Sequence, residues 1–100
     1  MTAAQQLLLA AIALGPRSFH AEELAVVAWR EFPERFGMRG FERLYPDFKA
    51  VSVAMADRNG TCVRGWIRRL PSKLPGSRSQ YIVTERGAEA GERLRKGQVA

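Results

Sequence analysis

Arg58, Arg64, Arg68, Arg69, Lys73 and Arg78 lie between positions 58 and 84, a stretch without a single Asp or Glu. Guanidinium and ammonium groups with no internal counter-charge suit one task above others, the neutralisation of a polyanion, most simply duplex nucleic acid. The whole chain carries 16 Lys+Arg and 10 Asp+Glu, a formal charge of +6. Outside this stretch the two signs cancel, so the net charge is concentrated rather than spread. The plainer alternative is a solvated face that keeps an exposed hairpin apart from its neighbours.

Other chemistry finds few residues to carry it. His20 is the only histidine, and it stands where a helix cap belongs. No His/Cys cluster has the spacing of a zinc site, and no glycine-rich segment has the form of a phosphate-binding or dinucleotide loop. Glu22-Glu23 falls in a helix first turn, where the helix dipole favours acids. The expectation is therefore no catalytic residue, no metal, no cofactor and no small-molecule sensing. Cys62 is the single cysteine and cannot form an internal disulfide. It reads as a small, partly buried residue of a reducing cytoplasm, with nearby arginines as a means of lowering its pKa.

These groups need elements to position them. One hundred residues with 46% apolar and 26% charged content describe a single domain, 1–100, with one modest core. The apolar run Leu7–Leu14 is too short to span a bilayer and has no charged segment before it. It reads as a buried helix, capped by Thr2 and stopped by Gly15-Pro16. Arg17–Phe19 forms an extended link. A second helix starts at His20 or Ala21, with Glu23 three residues on and Phe19 and Leu24 placed as a hydrophobic staple. It carries Leu24, Val27, Ala28 and Phe32 at helical spacing and ends at Pro33. Residues 33–46 contain Phe36, Phe41, Leu44 and Tyr45, too apolar for a free linker. A packed loop with a helical turn near Gly40–Leu44 is expected.

Asp47 caps a third helix running to about Arg58. Its core stripe is Phe48, Val51 and Met55, flanked by Ala54, and Lys49, Ser52, Val53 and Ala56 lie opposite. Cys62–Leu70 and Gln80–Thr84 have strand character around a Pro75-Gly76 turn. Thr84 caps a last helix, Glu85–Arg95, anchored by Ala88 and Leu94 and weakened by Gly91.

The stretch Tyr81-Ile82-Val83-Thr84-Glu85-Arg86-Gly87 resembles the last wing strand and following helix of many prokaryotic winged-helix regulators, where the pattern is aromatic-x-aliphatic-threonine-x-x-glycine. Gly60-Thr61-Cys62-Val63-Arg64 is similar to the passage from recognition helix to first wing strand. The element order resembles the winged helix-turn-helix superfamily over nearly the whole chain. The resemblance implies an α+β fold: a three-helix core, a wing sheet of two or three strands and a C-terminal helix. One departure is the connection over residues 33–46, far longer than the 3–4-residue turn of a prototypical helix-turn-helix.

The resemblance also implies a binding mode, with the third helix in the major groove and the wing on phosphates. Lys49, Ser52, Val53 and Ala56 are then the groove-facing residues, and Arg64, Arg68, Arg69, Lys73 and Arg78 the backbone-facing ones. With no Asn or Gln on the helix face, base readout should be weak and binding mostly phosphate-driven. The plainer readings are a solvated Lys49, wing arginines that serve solubility, and Trp29 and Trp66 as core or rim aromatics. Strand alternation sets Trp66 beside Arg64 and Arg68, where it could take cation–π contacts or mark a partner surface.

Two function classes follow. The first is a prokaryotic cytoplasmic, nucleoid-associated protein binding double-stranded DNA, a transcriptional regulator or a nucleoid or mobile-element accessory factor. It could form a homodimer through its first and last helices, with Leu9 and Leu14 as candidates. The second is a winged-helix protein–protein interaction module in a larger assembly, its wing meeting an acidic protein partner. Neither class requires a membrane.

Overall fold

The computed structural model describes residues 1–71 and 78–97. The chain is α+β, with five helices and one three-stranded antiparallel sheet. Helix α1 spans Ala3–Ala13. Thr2 Oγ1 accepts from the Gln5 N–H at 3.2 Å, and Gln5 Oε1 accepts from the Thr2 N–H at 2.8 Å. This reciprocal pair satisfies two amide donors that the helix itself cannot. The helix stops at Gly15, as the sequence predicts.

Strand β1, Phe19–His20, leads into α2, Ala21–Glu31. The His20 N–H donates to Glu23 Oε1 at 3.0 Å, and Phe19 and Leu24 are buried in one cluster. The staple and the cap therefore both form. Pro33 opens α3, a single turn over Pro33–Phe36 absent from the sequence reading. Helix α4 is Phe48–Ala56, with Asp47 accepting from the Ala50 N–H at 3.1 Å. Strand β2 is Ile67–Arg69, β3 is Gln80–Val83 and α5 is Glu85–Arg95. The sheet order is β1-β3-β2, so β2 is an edge. Its register sets Ile67 opposite Val83 and Arg69 opposite Tyr81. The hairpin continues through a Leu70 N–H to Gln80 carbonyl bond of 2.8 Å.

Helices α1, α2 and α4 pack together around Leu7, Ala11, Phe19, Leu24, Phe36, Val51 and Ile67. A second cluster of Ala4, Leu8, Trp66 and Ala90 seats α5 on the outer side of α1. This order and these layers are compatible with the expected winged-helix layout.

Four sequence expectations need correction. The first wing strand begins at Ile67, not Cys62. Residues 61–66 fold back instead: the Thr61 and Cys62 amides donate to the Ala54 and Met55 carbonyls of α4, which would otherwise lack partners. Gly65 turns the chain with φ of +75°, a conformation other residues rarely adopt. The helix accordingly ends at Ala56, before Arg58. Phe48 is not core but 46% exposed; it is the first helical residue, and Val51, Ala54 and Met55 fill the inner face. In α5 the expected anchor Leu94 does pack, half-buried, against the Leu8 and Trp66 cluster, but Ala88 faces out and Ala90 and Gly91 are buried in its place. Gly91 does not end the helix, which runs to Arg95, and it faces the Ile12 side-chain tip on α1. It marks the close approach of α5 to α1.

That approach also bears on dimerisation. Leu14 packs against the main core and Leu9 is half-buried, while α5 lies along α1 with a largely charged outer face. The first helix is an internal element rather than a free apolar surface.

Candidate nucleic-acid interface

The outward face of α4 carries Lys49, Val53 and Ala56 exposed, with Ser52 half-buried, while Val51, Ala54 and Met55 point inward. The four predicted residues therefore share one face, as their spacing requires. Lys49 stands in the first turn. Asp47, beside it in sequence, is occupied in capping the helix.

Lys49 and Val53 line a groove of about 530 Å³ together with Arg35, Arg64, Asn59 and two acids, Asp47 and Asp57. Its floor is formed by small groups, Ala3, Ala50 and Ala54, and by Phe36. Arg64 reaches this groove because the turn after α4 folds back. Its Nε donates to the Asn59 carbonyl at 2.9 Å, and its guanidinium lies 5.0 Å from the Trp66 ring centroid. The expected cation–π pair thus exists, but through the Gly65 turn rather than strand alternation. Trp66 itself is only 6% exposed. It is a core residue with a cation over its ring, not a free partner surface.

Arg68 and Arg69 are exposed on β2. As consecutive strand residues they project to opposite faces of the sheet, so one straight row of phosphates cannot meet both equally. Both sit on the edge strand, whose outer backbone groups are unpaired within the sheet. Arg78 is less independent than the sequence suggests. Its Nη1 lies 3.8 Å from Glu22 Oε2, both side chains largely exposed. Chain folding thus returns an acid from α2 to a stretch that has none of its own. Lys73 lies outside the described residues.

Arg35 was not among the predicted site residues. The signal was a basic residue in a segment read as packed connection, and only α3 turns it toward α4. The aromatics of that connection also behave unexpectedly. Phe36 is buried, but Phe41, Leu44 and Tyr45 are exposed. Their turns do form, with the Leu44 and Tyr45 amides donating to the Phe41 carbonyl.

Two titratable groups near the site are shifted by their immediate surroundings. Burial raises the Cys62 thiol above its ordinary range, with the Thr61 hydroxyl opposing weakly. Cys62 is half-buried, as the plainer sequence reading has it, and the nearby arginines do not lower its pKa. Glu42 is held below the usual carboxylate range by its own amide and by the Gly40 amide. Among the described residues no group of three His, Cys, Asp or Glu could hold a metal ion, and no helix is long and apolar enough to cross a membrane.

No family model matches this chain, and comparisons with curated proteins and with solved structures give no match either.

Proposed function

We infer that the chain is a small winged-helix protein that binds duplex DNA mainly through phosphates. In this reading α4 lies in the major groove, with Lys49, Ser52, Val53 and Ala56 toward the bases. Arg64, at the groove beside it, and Arg68 and Arg69, on the edge strand, meet the backbone. The observation that carries it is an exposed helix face bearing a cation, between Asp47 and Asp57, together with two exposed arginines on an unpaired strand edge, in the stretch 58–84 whose sequence holds no acid. Arg78 contributes less, since Glu22 shares it. The face offers one lysine, one serine and two small apolar groups, so base discrimination is weak. Such a protein would serve as a transcriptional regulator or a nucleoid or mobile-element accessory factor in the cytoplasm of a prokaryote.

Fluorescence anisotropy with random-sequence duplex, at low and moderate salt, tests this. Three or four neutralised phosphates give a log–log salt slope of about −3. The R68A/R69A variant should lose binding and flatten the slope. Absence of binding at low salt, or a slope unchanged by the variant, removes the reading. A binding-site selection that returned several fixed bases would contradict the phosphate-driven part alone. One observation favours the second class of function: the exposed apolar residues around 38–48, which phosphate binding does not use.

A further inference from the structure

Residues 37–46 leave the body and return to it. Gly37 and Pro46 form an isolated antiparallel bridge. The Met38 N–H donates to the Tyr45 carbonyl at 2.8 Å, and the Asp47 N–H to the Phe36 carbonyl at 2.7 Å. Inside, Trp29 Nε1 donates to the Glu42 carbonyl at 2.6 Å, pinning the lobe to α2. Glu42 Oε2 accepts from the Gly40 N–H at 2.7 Å. A compact surface loop with joined ends and its own internal bonds is a built feature.

A built loop is expected to hide its apolar groups, and this one does not. Among the described residues the exposed large apolar side chains number eight, and five of them are Met38, Phe41, Leu44, Tyr45 and Phe48. The Phe41 and Tyr45 rings lie 6.3 Å apart, so at least these two form one patch. Five side chains of roughly 200 Å² each, about half exposed, present on the order of 500 Å². A stable dimer needs about 800 Å² from each partner. That figure counts polar area as well, so size admits a short segment or a second copy, and charge decides between them.

Charge selects the segment. Arg39, Arg43 and Lys49 are exposed around the patch, and none forms an ion pair among the described residues. Two carboxylates, Glu42 and Asp47, stay charged nearby, but each is turned to a backbone amide, Glu42 to Gly40 and Asp47 to its cap, so the rim keeps a net charge of about +1 with Arg39 and Arg43 outermost. An apolar patch with a net positive rim repels its own copy and complements acid. We propose that the 37–46 lobe, with Phe48 at the start of α4, docks an acidic amphipathic segment of a protein partner. Apolar side chains of that segment lie on the Phe41 and Tyr45 pair, and its Asp or Glu side chains meet Arg39 and Arg43. This interface uses no wing residue, but at Phe48 and Lys49 it borders the α4 face of the proposed DNA contact.

The test is a display selection of random peptides of about 16 residues against the whole chain, counter-selected on the F41S/Y45S variant. The enriched peptides should be acidic and amphipathic, and the best should bind in anisotropy with micromolar affinity. Replacing its acids by lysine should weaken binding about tenfold or more, as should R39E/R43E in the protein. R68A/R69A should leave it unchanged. Both side chains of F41S/Y45S are exposed, so circular dichroism should show a native fold. Enrichment of basic or unrelated peptides, or no enrichment, overturns the proposal. So does a concentration-dependent dimer in sedimentation that F41S/Y45S abolishes, which would make a second copy the occupant. Loss of duplex affinity in F41S/Y45S without any selected peptide would assign the lobe to nucleic acid instead.

Discussion

Thr84 shows how one side chain can join three elements. Its hydroxyl donates to the Gly65 carbonyl at 2.5 Å and accepts from the Gly87 N–H at 3.0 Å, while its amide donates to the Trp66 carbonyl at 2.9 Å. The wing entry, β3 and the first turn of α5 are thereby tied at one residue. Gly87 follows from the same geometry, because a Cβ there would strike the Trp66 carbonyl. The threonine-x-x-glycine spacing is thus a packing requirement of this corner, whatever the chain binds. Thr84→Val should cost about 1–2 kcal/mol in urea unfolding, and Thr84→Ser should recover most of it. Gly91→Ala is a sharper test of sign. Helix propensity alone predicts a gain of about 1 kcal/mol, and the new Cβ meets only Ile12 Cδ1, the end of a half-buried side chain that can rotate aside. The gain should survive in part, whereas Gly87→Ala, whose Cβ strikes the Trp66 carbonyl, should cost about 1–3 kcal/mol in the same assay.

At the scale of elements, the start of α2 depends on ionisation. Glu23 is held below the ordinary carboxylate range, first by the His20 amide and then by Arg17 at 2.9 Å. A carboxylate whose folded-state pKa is depressed contributes fully above its unfolded pKa, and the contribution is lost as pH falls through the folded value. Urea midpoints of wild type and Glu23→Gln should therefore differ at neutral pH and converge in acid. A gap that persists at low pH would assign the effect to packing. Caps of this kind made the elements legible: Thr2, Asp47 and Thr84 each accept the amide their position predicts. What stayed hidden depends on tertiary demands. Cys62–Gly65 has strand-like composition, but the open carbonyls of α4 draw its amides back, and no local pattern records that. Phe48 fits an apolar stripe by spacing, yet Phe36, from a segment without helical periodicity, is fully buried in the same core cluster as Val51. The basic surface was legible as charge. Its division into opposite strand faces followed from register, and the approach of Glu22 to Arg78 did not.

For the whole molecule, the decisive arrangement is that α1 lies between two packings. The main cluster covers one side and α5, through Ala90 and Gly91, covers the other with Leu8 and Trp66. An 11-residue helix with so few polar groups could not remain exposed on that second side. The proposed DNA surface, on α4 and the edge strand, involves no α5 residue, so α5 acts on it only by completing the core that holds the wing. Deleting residues 85–100 uncovers Leu8 and Trp66 and removes the Thr84 corner together. The shortened chain should lose its cooperative thermal transition, shift its tryptophan emission to the red and bind a hydrophobic dye. Charge-reversing changes confined to the outer face of α5, such as Arg93→Glu, should leave that transition in place, because Arg93 is exposed. If the deletion variant unfolded as cooperatively as the full chain, the two-sided packing of α1 would not be what sustains the fold. The wing would then have to be held by the sheet alone, through three short strands of which the longest has only four residues, and an isolated sheet of that size has too little buried apolar surface to do so.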